Sequence, residues 1–354
     1  MNKLDEYFLK ETFNLARKAE GMVSPNPLVG ACVVKEGAIV GRGYHKGVGN
    51  PHAEFEAIKE AGNKAKGATL YVSLEPCAHY GNTPPCTEII ESSGIDRVVA
   101  PMKDSNPLVN GKGFKYLKSK GIRVDVGILE AEARNLNSFY LKYITKKIPY
   151  VILKAAMTLD GRIADPGREI FKITGAQSHK EVHHLRSKVD ALLVGVGTVL
   201  IDDPRLTVRL AKSIKQPYKI IIDPHGRTPV NAKIFEEGGK VIIVTADKKA
   251  EEKYTNARIW VFKENGGFIY VKDILKRAGE EEITSIMIEG GSETFTQFIK
   301  AGEVDKYLLF FSPSFIGKGV PLIDYPLKRV FLDASARKIG EDILIEAANV
   351  YGNN

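Results

Sequence analysis

Apolar and polar positions alternate along the chain with periods that change from segment to segment. In "MNKLDEYFLKETFNLARKAEG", Phe8, Leu9, Phe13, Leu15 and Ala16 recur at helical spacing, which predicts a helix over 5–20. Short Val- and Ile-rich runs then predict strands at 30–35, 38–43, 69–73, 97–100 and 122–126. Between them, amphipathic stretches predict helices at 52–62, 87–93 and 112–119, with one more near 130–143. Alternation of this kind implies an α/β layer architecture.

After Lys147 and Pro149 the pattern restarts as longer, almost uninterrupted apolar runs: "YVILKAAM", "ALLVGVGTVL", "YKIIID", "KVIIVTA", "ARIWVF", "SIMIEGG" and "KYLLFFSPSF". Such runs mark strands buried on both faces, as in a largely parallel sheet covered by helices. The reading is two α/β domains, 1–146 and 147–354, and a length of 354 residues suits two self-sufficient cores.

Composition narrows the class. The chain is 44% hydrophobic and 27% charged with 17 prolines, which describes globular protein rather than a disordered segment. Its start lacks the features of a signal or transit peptide and its apolar runs fall short of a membrane span, so the expected compartment is the cytoplasm and no membrane partner is expected. The net charge of +8 divides into +4 before residue 147 and +4 from it onward. A nucleic-acid binder would more often concentrate that excess in one arm or face, so the surplus suggests small anionic substrates instead. Three cysteines without an export signal argue against a disulfide framework and favour metal binding by Cys77 and Cys86; Cys32, in "GACVVK", reads as a buried strand residue.

His52, Glu54, Cys77 and Cys86 fall within 35 positions. Pro51 suits the start of a helix that carries His52 and Glu54 in its first turn, and Pro84-Pro85 precede a second helix at Cys86. The positive ends of two helices favour thiolates, the form that binds zinc. One imidazole and two thiolates leave a fourth tetrahedral position for water, as in catalytic rather than structural zinc sites. With Glu54 as a non-ligand acid/base, the set matches the zinc deaminases, which carry His-x-Glu and then Pro-Cys with a second Cys. Eight residues, "AHYGNTPP", separate the cysteines where the general signature has two, and the insert brings His79 beside the metal.

Together, "SPNPLVGACVV", "HAE" and "EPCAHYGNTPPC" resemble the pyrimidine deaminase domain of the bifunctional deaminase/reductase of riboflavin biosynthesis. The C-terminal half is similar to that family's reductase domain. The resemblance implies a cytidine-deaminase-like fold followed by a dihydrofolate-reductase-like fold, with Zn2+ and NADPH as cofactors, and it leans toward a homodimer. It also implies two consecutive reactions: hydrolysis of the 2-amino group of 2,5-diamino-6-ribosylamino-4(3H)-pyrimidinone 5′-phosphate, then reduction of the product's ribose to a ribityl chain. Glu54 would be catalytic, and Asn26, His45, His79, Asp104 and Asn106 would hold the substrate.

In the second half, "VGVGTV" lacks the third glycine of a dinucleotide fingerprint at Leu200, so a Rossmann assignment fails. "SIMIEGGSETFTQFIKAG" offers instead a strand, a Gly-Gly-Ser turn and a helix whose free N–H groups could cradle a pyrophosphate. By resemblance, Ala156, Thr198, Asp202, Gly291, Ser292, Glu293 and Thr294 would meet the cofactor. Lys154, Asp160, Arg186, Leu206, Arg209 and Glu289 would border the substrate, and arginine suits bidentate phosphate recognition. "REIFKIT" departs from the family pattern; Ile170 falls at a substrate position there, and Lys172 is a candidate for the 2′-phosphate of NADPH.

Two competing readings remain at this point. One is a deaminase of tRNA or single-stranded DNA with a C-terminal binding module, which the even charge split and the lone Trp260 disfavour. The other treats the metal as a structural staple.

Overall fold

The computed structural model describes residues 3–80, 84–165, 172–211, 213, 215–236, 238–326 and 332–349. It divides into two compact units, Met1–Lys147 and Ile148–Asn354.

The first unit runs α1 (Lys3–Arg17), β1 (Gly30–Lys35), β2 (Ala38–Tyr44), α2 (Ala53–Ala61), β3 (Thr69–Val72) and α3 (Cys86–Ser92). It continues with β4 (Arg97–Ala100), α4 (Lys112–Ser119), β5 (Arg123–Val126), α5 (Glu130–Leu136) and α6 (Ser138–Lys146). The sheet order is β2-β1-β3-β4-β5, antiparallel among β1, β2 and β3 and parallel from β3 to β5. Leu70, Val72, Val98, Ile90, Phe114 and Leu117 form the core between this sheet and its helices. Helix α2 lies almost on the backbone of β2: a Cβ added at Gly41 or Gly43 would come 2.1 Å from the carbonyl oxygen of Ala57 or Ala53. Only glycine allows that approach, and it fixes the start of α2, where the site is built. Cys32 is fully buried in β1, and burial pushes its thiol up to about 12.

The helix expected near 130–143 is two helices, with Asn137 at the junction. Its side chain explains the break: Oδ1 accepts from the Leu28 N–H at 2.8 Å, and Nδ2 donates to the Leu28 carbonyl at 3.1 Å. A side chain used to bridge a distant loop sits best where a helix ends.

The second unit begins β6 (Tyr150–Thr158), β7 (Arg162–Ala164), α7 (Ala176–Arg186), β8 (Ala191–Gly195), α8 (Val196–Asp202) and β9 (Tyr218–Ile222). Next come β10 (Val241–Thr245), α9 (Ala250–Lys253), β11 (Ala257–Val261), β12 (Glu264–Asn265), β13 (Phe268–Ile269) and α10 (Val271–Glu280). It closes with β14 (Ser285–Gly290), α11 (Ser292–Lys300), β15 (Lys306–Ser312), β16 (Val320–Pro321), β17 (Leu332–Ile339) and β18 (Asp342–Asn349).

Nine of these strands form one sheet, ordered β11-β10-β9-β8-β14-β6-β15-β18-β17. Its first seven members are parallel neighbours, and β18 and β17 extend it antiparallel. Leu153, Leu193, Ile220, Ile242, Ile286 and Ile288 supply its core, with Phe295 and Phe298 of α11 packed against them. The apolar run "ALLVGVGTVL" is a strand only to Gly195 and then turns into α8, so Gly195 and Gly197 flank a strand-to-helix turn. The ends of β8 and β14 therefore both lead directly into helices.

Candidate active sites in the two units

In the first unit, Pro51 leads into His52, the extended N-cap residue of α2. Pro85 does the same for α3, whose first residue is Cys86. His52 Nδ1 lies 3.1 Å from Cys86 Sγ and 3.6 Å from Cys77 Sγ, and the three ligand atoms fall within 4.8 Å of one another. Zinc bonds of about 2.3 Å to sulfur and about 2.0 Å to nitrogen need separations of this size, so the three side chains fit that ion. The Cys86 N–H donates to Cys77 Sγ at 3.3 Å, a contact that favours a thiolate. The sulfurs titrate as a pair: Cys77 falls to about 4, first through Cys86 and then, against burial, through His52, while Cys86 rises well above the usual thiol range through Cys77 and burial. Glu54 is 3% exposed and its carboxyl contacts Cys86; burial raises it, opposed by the charge of His52.

Around the triad, His45 Nδ1 faces the Pro51 carbonyl at 3.3 Å and must carry the proton there, so Nε2 accepts from the Asn26 amide at 3.0 Å. Burial lowers His45, in keeping with a neutral ring. With both nitrogens engaged, His45 orients Asn26 and stacks edge-on against His52, with ring centroids 5.5 Å apart. Asp104 is buried and accepts from the Asn106 N–H at 2.8 Å and the Tyr140 hydroxyl at 3.0 Å; burial raises its carboxyl. Asn106 in turn accepts from the Leu108 N–H. His79 Nδ1 is buried without a hydrogen-bond partner among the described residues, which suits a ring waiting for a ligand.

Sequence reading missed Glu75. Its buried carboxylate accepts from the N–H groups of Asp104 at 3.1 Å, Gly111 at 2.9 Å and Phe114 at 3.2 Å, tying the Asp104–Asn106 loop to the strand end that delivers Cys77. Three backbone donors on one carboxylate is a tertiary feature with no spacing to betray it, although a Glu immediately before Pro-Cys was visible.

In the second unit a cavity of about 1050 Å3 opens across the C-terminal ends of β9, β8 and β14 and the side of β6. Glu289 is the buried anion of its wall. Arg186 grips it in two bonds, Nε at 2.6 Å and Nη2 at 2.9 Å, while its Nη1 donates to the Thr207 carbonyl at 3.1 Å; Lys154 Nζ lies 3.8 Å from the same carboxylate. Burial opposes the charge of Glu289, yet Arg186 and Lys154 hold its carboxyl below the ordinary range. Burial is the main cause that lowers Lys154, against the pull of Glu289. Among the described residues, Arg186 therefore directs three of its five N–H groups at protein.

Ala156, Lys172, Thr198, Asp202, Arg209 and Glu293 also line this cavity, as do Gly291, Ser292 and Thr294. Ser292 opens α11, and its buried hydroxyl has no partner among the described residues. Thr198 Oγ1 would stand 3.1 Å from a Cβ at Gly290, and Thr294 Oγ1 2.5 Å from one at Gly195, so the two strand-to-helix turns lie back to back. Asp160 and Leu206 do not line the cavity. Thr158 and the N–H groups of Ile316 and Gly317 hold the Asp160 carboxylate, and Leu206 is buried at φ +47°. Ile170 lies outside the described residues. Sequence reading also missed His183 of α7, whose Nδ1 accepts from the Arg209 N–H at 3.0 Å. Burial first, then Arg186 and Arg209, bring this histidine down to about 4.

Comparison with known proteins finds one family match in each half of the chain. Residues 149–345 match the RibD C-terminal domain, and residues 2–102 match the cytidine and deoxycytidylate deaminase zinc-binding region. The riboflavin biosynthesis protein RibD of Aquifex aeolicus is 45% identical over 352 residues, 98% of either chain. This chain belongs to the RibD family. The RibD of Escherichia coli is 38% identical across 88% of this chain and 89% of its own. The solved Thermotoga maritima diaminohydroxyphosphoribosylaminopyrimidine deaminase/5-amino-6-(5-phosphoribosylamino)uracil reductase superposes with a TM-score of 0.91 at 37% identity, covering 98% of this chain and 99% of that one. Acinetobacter baumannii RibD gives 0.90 at 33%, with the same coverage. The RibD fold thus comprises a cytidine-deaminase-like unit and a dihydrofolate-reductase-like unit, as the resemblance in sequence implied. Among the described residues no helix is long and apolar enough to cross a membrane.

Proposed function

We propose that this chain performs two consecutive steps of riboflavin biosynthesis on one pyrimidine ribotide phosphate, a hydrolytic deamination in residues 1–146 and an NADPH-dependent reduction in residues 147–354. The observation that carries the reading is the three-ligand cluster of His52, Cys77 and Cys86 with Glu54 buried against it. A closed structural staple would have a fourth protein ligand, and among the described residues the cluster has three.

His52, Cys77 and Cys86 would hold zinc, which when bound supplies the Lewis acidity that makes water nucleophilic at neutral pH. Glu54 takes a proton from the attacking water and passes it to the departing 2-amino nitrogen, so that C2 gains a carbonyl and ammonia leaves. Asn26, oriented by His45, binds the pyrimidine together with His79, and the Asp104–Asn106 loop shapes the rim of the pocket.

In the reductase, NADPH supplies the hydride when bound. Ser292 and the free N–H groups at the start of α11 would receive its pyrophosphate, with Thr198, Thr294, Glu293 and Asp202 also contacting the cofactor and Ala156 bordering the nicotinamide. Lys154, Arg186, Arg209 and Glu289 align the ribose and its phosphate, while Asp160 and Leu206 support the substrate side from behind the wall. The chain acts in the cytoplasm as a homodimer, without nucleic acid.

The test is incubation with the diaminopyrimidinone ribotide, with and without NADPH, following ammonia and NADPH absorbance. Ammonia is expected in both cases, and NADPH oxidation only after it. Confirmed ammonia release without any NADPH oxidation would overturn the reductase half.

A further inference from the structure

Leu206, Thr207 and Val208 are buried, yet residues 203–208 belong to no helix or strand. Buried backbone outside a ladder must find partners for its polar groups elsewhere, and here side chains supply them. Arg186 Nη1 donates to the Thr207 carbonyl at 3.1 Å. The Gln216 amide meets Val208 as a neighbouring strand would: Oε1 accepts from its N–H at 2.7 Å, and Nε2 donates to its carbonyl at 3.0 Å. His183 Nδ1 accepts from the Arg209 N–H at 3.0 Å. Arg209 itself is exposed and lines the cavity, and its Nη1 donates back to Thr207 Oγ1 at 2.5 Å.

We propose that His183 and Gln216 are positioning residues of the reductase, which grip the backbone of Val208 and Arg209 so that the Arg209 guanidinium is held where it meets the phosphate of the ribotide. The proposal rests on the reading of Arg209 as a substrate residue. Gln216 is absent from the cavity lining among the described residues, so its effect on a ligand there passes through Val208 and Arg209.

Both gripping groups are themselves fixed. Gly238 approaches Gln216 so closely that a Cβ added to it would come 2.8 Å from Gln216 Cγ, and its φ of +50° is one that glycine adopts without strain. His183 is buried in the last turn of α7. A backbone N–H can only donate, so Nδ1 of this ring is bare and the proton sits on Nε2. Burial first, then the charges of Arg186 and Arg209, keep the ring neutral, with His179 adding to them and Glu289 opposing. An imidazolium would turn a second donor toward the Arg209 N–H and end the grip. Helix α7 thereby sets the spacing of two guanidiniums, Arg186 from its own last turn and Arg209 through His183. Cations aligned in advance lose less entropy on meeting an anion.

Steady-state kinetics of the full chain with the deaminated ribotide and NADPH tests this, with thermal unfolding as the control for folding. Arg209→Ala should raise the ribotide KM roughly thirtyfold. Gln216→Met and His183→Phe should each raise it roughly tenfold, with kcat and the KM for NADPH within about twofold of wild type. His183→Asn, which offers an oxygen near the place of Nδ1, should recover most of that loss. In the Arg209→Ala background, Gln216→Met and His183→Phe should add less than about twofold, because the group they position is gone. Gln216→Glu, similar in shape and lacking the donor to the Val208 carbonyl, takes the place of Gln216→Met if that variant does not fold, and should raise the ribotide KM roughly threefold. An unchanged ribotide KM in the folded single variants at 183 and 216, full additivity in the double variants, or an equal loss in kcat and both KM values overturns the proposal and leaves Arg209 as a substrate residue. An unchanged ribotide KM in Arg209→Ala overturns the substrate reading and the proposal together.

Discussion

In the first unit three ligand atoms lie within 4.8 Å of one another and come from 35 consecutive positions, whereas the cavity of the second unit gathers side chains from Lys154 to Val320. The triad is set by two helix starts and one strand end, with glycines in β2 letting α2 approach its backbone. The cavity is set by a whole sheet, and its charged wall of Arg186, Glu289 and Lys154 is buried with the core. A compact metal triad should therefore respond to damage in an all-or-none way and independently of the rest. A dispersed, charge-bearing cavity should respond by degrees and take stability with it.

Metal removal separates the two most strongly. Dialysis against a chelator should abolish ammonia release, and restoring zinc should return it. NADPH oxidation with the deaminated ribotide should stay unchanged, and an equal fall in both activities would break the comparison.

Next in size is Arg186→Ala. Removing one partner from a buried ion pair leaves the other charge uncompensated, so unfolding of the second unit should become easier by about 3 kcal/mol in urea titrations. A loss below about 1 kcal/mol would mean that Lys154 alone neutralises Glu289.

Tyr140→Phe removes one hydroxyl from the buried Asp104 carboxylate and should lower stability of the first unit by about 1.5 kcal/mol with zinc content unchanged. Zinc loss in this variant would show that the loop and the triad are one structure.

The smallest effect is on pH. His183 is held at about 4 in the fold against an ordinary 6.5, so the unfolded chain takes up its proton first as pH falls. Its contribution is complete above pH 6.5 and is lost progressively down to about pH 4. Wild type should therefore lose more stability across that window than His183→Gln, measured by denaturant midpoints. Parallel curves would contradict the assignment.

The same contrast governs what the sequence displays. His52, Glu54, Cys77 and Cys86 were legible because their prolines and helix starts are local, and the ligand geometry follows from them. Glu75 was not, since its three partners lie between 29 and 39 positions away. In the second unit the apolar runs revealed the parallel strands, but the β17–β18 hairpin escaped. "DASARKI" is an edge strand exposed along most of its length and carries no apolar run. "VGVGTV" placed its glycines after a strand but could not show the close approach of α11, where a Cβ at Gly195 would come 2.5 Å from Thr294 Oγ1. Asp160 and Leu206 came from resemblance alone, and both lie outside the cavity lining.

Glu54→Gln, supplied in turn with the diaminopyrimidinone ribotide and with its deaminated product, measures the separation of the two chemistries most directly. Zinc should remain bound while ammonia release falls about a thousandfold, and NADPH should be oxidised at the wild-type rate with the deaminated product only. Ammonia release at the wild-type rate, or NADPH oxidation with the diamino compound before any ammonia appears, would contradict the account.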